Sequence, residues 1–371
     1  MKTIPDVVVF PTNAESSPFF AALASTLLPA LDYTEETPYF CAPKNSNCVQ
    51  CGNCKSNTLQ KHHVQLYHDY QSFTGVGLGW CWPEDATVPY QTFPDGGAGW
   101  DWPDSFFDYI MGVAGLTWKR LDKASGKDEI FKALAASVDA GIPALMKLGQ
   151  GADWHVVTGY DDAGMLYGLD AHKYGEKPVV TPERYIDNKL FELSNWVEPF
   201  VTAIVITGKC EPTLKLPDIL TCMITILEHP QHAILEAEIT RRIDAIGPDN
   251  ALETAKWLNQ IVGFPIEARW HVADSSLQRM TDNETAKERL FHVIEHYVFD
   301  NDLDATHGTC WKIWAQLGVG TDTGYATTPK SAELVQQPQA QAELKRLFAI
   351  VFENDRLVLG FLREALAAIA G

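Results

Sequence analysis

The apolar residues of this chain change period once, and that change constrains the fold more than any other feature. Up to residue 208 they come in short runs: VVVF at 7–10, ALMKL at 144–148, HVVTGY at 155–160, MLYGLD at 165–170 and TAIVITG at 202–208. Runs of this length, three of them rich in β-branched residues, read as strands. Asp161, Asp162, Ala163 and Gly164 separate two of them and have hairpin-turn chemistry. Helical stretches are predicted over 18–31, 127–141 and 182–190. Residues 209–217, KCEPTLKLP, carry two prolines and read as a linker. Beyond them the apolar residues recur about every 3.6 positions, as in DILTCMITILEH, ETAKERLFHVIEHYVF and AELKRLFAIVFENDRLVLGFLREALAAIA. The expected architecture is an α+β domain over 1–208 and an all-α domain of five to seven helices over 218–371.

With 371 residues, two such domains each have chain enough for a core. The 29 basic residues are outnumbered by 48 acidic ones, a net charge of −19. So acidic a surface repels phosphate backbones and anionic lipid heads, which argues against nucleic-acid and membrane-surface partners. No apolar stretch approaches the length of a membrane span. The opening MKTIPDVVVFPTN lacks the apolar core of a signal peptide, so a cytoplasmic location is expected. The eight cysteines are then expected to be reduced, buried, metal-bound or catalytic.

His155 starts one strand of the predicted hairpin, and Asp170 ends its partner. Antiparallel pairing brings these two ends together, so a carboxylate can orient an imidazole as the base half of a nucleophilic site. The same residues also suit a structural strand histidine beside a turn. Four of the eight cysteines crowd into Cys41, Cys48, Cys51 and Cys54, with two-residue gaps that let thiolates converge on one ion. A structural zinc, plain or disulfide-linked thiols, and an iron–sulfur fragment all fit that spacing. His62, His63 and His68 lie near enough in sequence to replace one thiolate. His292, Glu295 and His296 spell H-x-x-E-H, an inverted zinc-protease motif, with His271, Glu267 or His307 as candidate third ligands. The alternative there is an ordinary amphipathic helix. Gly75, Gly77 and Gly79 lack the spacing, preceding strand and following acid of a dinucleotide site. Trp80, Trp82, Trp100, Trp102 and Trp118 could floor an apolar groove or simply pack.

The string H-x-V-T-G-Y-D, turn, x-Y-G-x-D resembles the His/Asp hairpin of papain-like bacterial domains. These include the bacteriocin-processing cysteine peptidases and the N-terminal domain of butirosin biosynthesis protein H. Residues 73–82, FTGVGLGWCW, resemble the glycine-rich segment after the second helix of the latter, and VVTPERYIDN at 179–188 resembles its helix after the His/Asp strands. The resemblance covers about residues 5–208 and implies a papain-like, cysteine-peptidase-type domain. It implies amide hydrolysis or acyl transfer on a peptide or small-molecule substrate, with His155 as base and Asp170 orienting it. It also places a cysteine nucleophile at the start of the first helix and makes the cysteine cluster an insertion. Here that start reads NAESSPFF, with no cysteine. Ser16 or Ser17 occupies the place, either as nucleophile or as a helix cap before Pro18. Cys81 is a second candidate nucleophile or a buried small hydrophobe, and Asn13 is a candidate oxyanion donor. The competing expectation is a non-catalytic binding protein that keeps the fold without its thiol.

A zinc site at the cluster predicts roughly one zinc ion per purified chain. Elemental analysis of the wild type and of Cys48→Ser/Cys51→Ser checks this. An unchanged zinc content in the double variant excludes the cluster as the site.

Overall fold

The computed structural model describes residues 1–5, 7, 18–37, 58–78, 103–149, 154–170, 184–185, 190–193, 195–266, 268–273, 275–298, 305–323 and 325–371. Two compact units divide the chain: Met1–Tyr70 with Gly97–Leu214, and Gln71–Gly96 with Lys215–Gly371. The first mixes helices with an antiparallel sheet, and the second is helical, so the α+β class with a helical C-terminal region is present.

In the first unit the strands are β1 (Lys2–Thr3), β2 (Leu116–Asp122), β3 (Ala144–Leu148), β4 (Trp154–Tyr160), β5 (Leu166–Asp170), β6 (Arg184–Tyr185), β7 (Leu190–Leu193) and β8 (Phe200–Lys209). They run in the order β2-β8-β3-β4-β5-β7-β6, with β1 added beside β4, and every pairing is antiparallel. The turn between β4 and β5 forms as its residues demand. The Asp161 carboxylate accepts from the Ala163 and Met165 amides, and Gly164 takes a left-handed φ of 85°. The buried Trp196 indole donates to the Gly164 carbonyl at 3.2 Å and pins the turn to the core.

Two predictions need correction. The helix expected over 182–190 is strand at its described positions, β6 and β7. The free edge of β5 needs backbone partners, and the ladder from Leu190 to Leu193 supplies them, overriding local propensity. The helix that the resemblance implies at 179–188 is therefore not formed at Arg184 and Tyr185. The strand expected at 7–10 is not formed at Val7, and 8–10 lie outside the described residues; the first strand is β1.

Helix α1 (Pro18–Ala30) is apolar on nearly every side and almost wholly buried, as an all-round hydrophobic helix must be. With α2 (Thr58–Phe73), α3 (Asp104–Ala114) and α4 (Lys127–Asp139) it completes the helical complement before residue 208 among the described residues. The sheet has a helix on each face. Ile130, Leu134 and Val138 of α4 pack with Leu121, Met146, Val157 and Ala203. On the other face Phe19 of α1 and Phe107 of α3 meet the Trp154 ring, at 5.2 and 6.3 Å between centroids.

The second unit holds eight α-helices among the described residues, more than the five to seven expected: α5 (Leu216–Leu227), α6 (Gln231–Asp244), α7 (Ala251–Ile261), α8 (Arg269–Ala273), α9 (Glu284–Tyr297), α10 (Thr306–Leu317), α11 (Pro329–Val335) and α12 (Pro338–Ala370). Two of these, α8 and α11, are too short to show a period. The 33-residue α12 contributes Leu344, Leu347, Phe348, Val351 and Phe352 to a core shared with α6, α7 and α10. One turn further, Asp355 receives Arg269 through both Nε at 2.7 Å and Nη2 at 2.5 Å, and Tyr297 Oη at 3.0 Å. Arg269 is wholly buried and donates again to the Leu78 carbonyl at 3.3 Å. The turn 74–78 that carries this carbonyl fits closely: a Cβ on Gly77 would stand 2.9 Å from the Ala268 oxygen.

Gly159 tests how β1 is held. A Cβ there would stand 2.7 Å from both Lys2 O and Thr3 Cγ2. Gly159→Ala is expected to cost about 1–3 kcal/mol, read as a lowered urea midpoint. Deleting residues 1–3 should abolish most of that difference; a penalty of full size in the shortened chain would overturn the assignment to β1.

Candidate functional site

The backbone of the predicted hairpin is in the register that the sequence implies. His155 and Asp170 are directly paired in the β4–β5 ladder, followed by Val156 with Leu169 and Val157 with Gly168. The ladder then shifts by one residue, so that Gly159 faces Tyr167 and Thr158 is the extra residue of a bulge. The bulge turns the Thr158 carbonyl to the Ile4 amide at 2.8 Å, where β1 begins its pairing.

His155 has no solvent exposure. Its pairing partner across β3 is Met146, which is paired in turn with Ala203 of β8. Directly paired residues share a face of the sheet. His155 therefore lies on the face that α4 covers, while its neighbour Trp154 points to α1. Helix α1 starts at Pro18. The candidate nucleophiles Ser16, Ser17 and Cys81 and the candidate oxyanion donor Asn13 lie outside the described residues, as do the cluster Cys41, Cys48, Cys51 and Cys54, Trp80, Trp82, Trp100, Trp102 and Glu267.

The other histidines go to separate tasks. His62 Nε2 meets the Thr37 carbonyl at 3.0 Å. His63 Nε2 lies 2.9 Å from the Ala21 carbonyl and 3.1 Å from Ser25 Oγ. This Ser–His approach was not legible in the sequence, since 38 residues separate the two. It is not a nucleophile–base pair. The Ser25 hydroxyl donates to the Ala21 carbonyl at 3.0 Å, and the imidazole nitrogen that faces Ser25 faces the same carbonyl, so it carries the proton. His292 and His296 both lie against the Phe361 ring, at 5.0 and 5.4 Å between centroids, and His292 Nδ1 is 2.6 Å from Glu295 of its own turn. His271 stacks on Trp270, and His307 Nε2 accepts from the Trp311 indole at 3.2 Å. Among the described residues no three histidine, cysteine or carboxylate side chains gather as a metal site. Trp118 donates to Asp108 at 2.9 Å and packs on Phe107, 5.2 Å between centroids.

Burial holds His63 and His68 neutral, lowering their pKa values to about 4 and about 3. The unfolded chain takes up these protons near pH 6.5, and the folded chain does not. Stability from these groups is thus complete above about pH 6.5 and falls as the pH is lowered towards 3–4, by up to about 1.4 kcal/mol per pH unit for each. Urea midpoints at about pH 7 and about pH 4.5 check this, with His68→Gln flattening the decline. Equal slopes in variant and wild type would contradict it.

Among the described residues no helix is long and apolar enough to cross a membrane. No family model, no curated protein and no solved structure matches this chain.

Proposed function

We propose that the chain up to residue 208, apart from the segment Gln71–Gly96 that groups with the second unit, is papain-like and performs acyl-enzyme chemistry, either amide hydrolysis or acyl transfer to an amine, on a peptide or small-molecule substrate. The observation that supports this reading is the direct pairing of His155 with Asp170 at the ends of β4 and β5. In this scheme His155 takes the proton of the nucleophile, Asp170 orients the imidazole, and Ser16, Ser17 or Cys81 attacks the carbonyl carbon with Asn13 at the oxyanion. A serine hydroxyl is barely ionised near neutral pH, so this version leans on the base more than a thiol would. A structural zinc at Cys41, Cys48, Cys51 and Cys54 would staple a loop and take no part in the reaction.

A second reading has its own support. His155 is wholly buried and lies on the sheet face opposite α1, the helix that follows Ser16 and Ser17. A papain-like fold that binds without reacting fits both facts.

Covalent labelling separates the two. A fluorophosphonate and iodoacetamide are applied to the full chain, and the modified residue is mapped by mass spectrometry. The enzyme reading expects labelling at residue 16, 17 or 81 that slows about 100-fold or more in His155→Ala. Absence of labelling, or equal labelling in the variant, leaves the binding protein.

A further inference from the structure

The second unit contains a cavity of about 210 Å³ between the corner joining α5 to α6 and one side of α12. Its walls are apolar where Leu227, Phe352 and Leu359 line it. Asp355 also lines it and is 5% exposed. A carboxylate offers about four acceptor positions. On Asp355, Arg269 Nε and Tyr297 Oη take two on Oδ1, and Arg269 Nη2 takes one on Oδ2. Another lining side chain, His232, holds Nδ1 at 3.8 Å from Oδ2, outside hydrogen-bond reach. One acceptor position of a buried carboxylate is thus left for an occupant of the cavity.

The surrounding charge favours a cation. Glu228 and Glu236 line the cavity; Glu228 pairs with Arg363, and Glu236 with Arg356 at 3.0 Å. Arg356 is shared with Glu353 at 2.8 Å. On the lining itself three carboxylates, Glu228, Glu236 and Asp355, stand against one guanidinium, Arg356, in a chain of net charge −19. An anion would meet this excess of carboxylates, and a purely apolar guest would leave the Asp355 position unfilled. Size is adequate, since an apolar cavity of about 150 Å³ already takes a benzene.

We propose that this cavity binds a small organic ammonium ion, with its nitrogen on Asp355 and its hydrocarbon against Leu227, Phe352 and Leu359. The site is independent of the His155–Asp170 pair. Calorimetric titration of the full chain with benzylammonium, benzyl alcohol and benzoate tests it. Benzylammonium is expected to bind at least about tenfold more tightly than benzyl alcohol, and benzoate not at all. Asp355→Asn would unpair the buried Arg269, so lining variants carry the test, with circular dichroism to verify the fold. Ala233 is an exposed residue of the cavity lining. Ala233→Trp should abolish binding, and Glu236→Gln should weaken it several-fold. No binding by benzylammonium, no preference for it over the alcohol and the acid, or full binding in a folded Ala233→Trp variant would overturn the proposal.

Discussion

The first unit depends on the register of β4. This strand is paired with β3 on one side and β5 on the other, and β1 joins it where β3 ends. A slip of one residue would move every side chain of β4 to the opposite face. Such a slip would send Val157 out of the α4 core and Trp154 away from Phe19. Both are almost wholly buried, so packing on the two faces locks the register. The bulge at Thr158 then divides the strand by task. Before it, the ladder places His155 against Asp170; after it, Gly159 and Tyr160 take β1.

In the second unit the corresponding constraint is electrostatic. Arg269 cannot shed its charge, and its complete burial is offset by Asp355 and the Leu78 carbonyl, which accept from it, while Tyr297 donates to the same carboxylate. Removing the carboxylate of such a pair costs on the order of 3–5 kcal/mol, because the remaining charge stays buried. The pair joins elements far apart in sequence: α8, α9, α12 and the turn at 74–78. An apolar cluster could hold these helices in several related packings. A two-pronged guanidinium–carboxylate bond accepts one orientation.

How much was legible in the sequence follows from what each signal measures. The run at 144–148 became β3 with the same bounds, and 155–160 became β4 with one added residue, because buried strands are written as continuous apolar runs. The helical period after residue 217 appeared as expected. β2 was missed because Lys119, Arg120 and Asp122 leave LTWKRLD without a continuous apolar run. The segment 182–190 misled because its strand state depends on the vacant edge of β5, which no local pattern encodes. The pairing of His155 with Asp170 was readable because a hairpin makes it local. Arg269 and Asp355, 86 residues apart, were not. Nor could a period of 3.6 distinguish an aspartate facing solvent from one facing a buried arginine.

Distance in sequence also separates the two histidine pairs of the first unit, and their chemistry runs opposite to first appearance. Ser25 and His63 have the contact expected of a nucleophile and its base, yet the Ala21 carbonyl receives both protons and leaves no lone pair to act. His155 and Asp170 are directly paired in the ladder, and His155 has no solvent exposure. Burial disfavours the imidazolium, whereas a carboxylate alongside favours it. A working base needs the second effect to offset the first when it accepts a proton. The register brings the carboxylate's residue directly opposite the imidazole's, and the α4 face supplies the burial. The same strand position thus carries the support for the proposed chemistry and the main physical cost that such chemistry would meet.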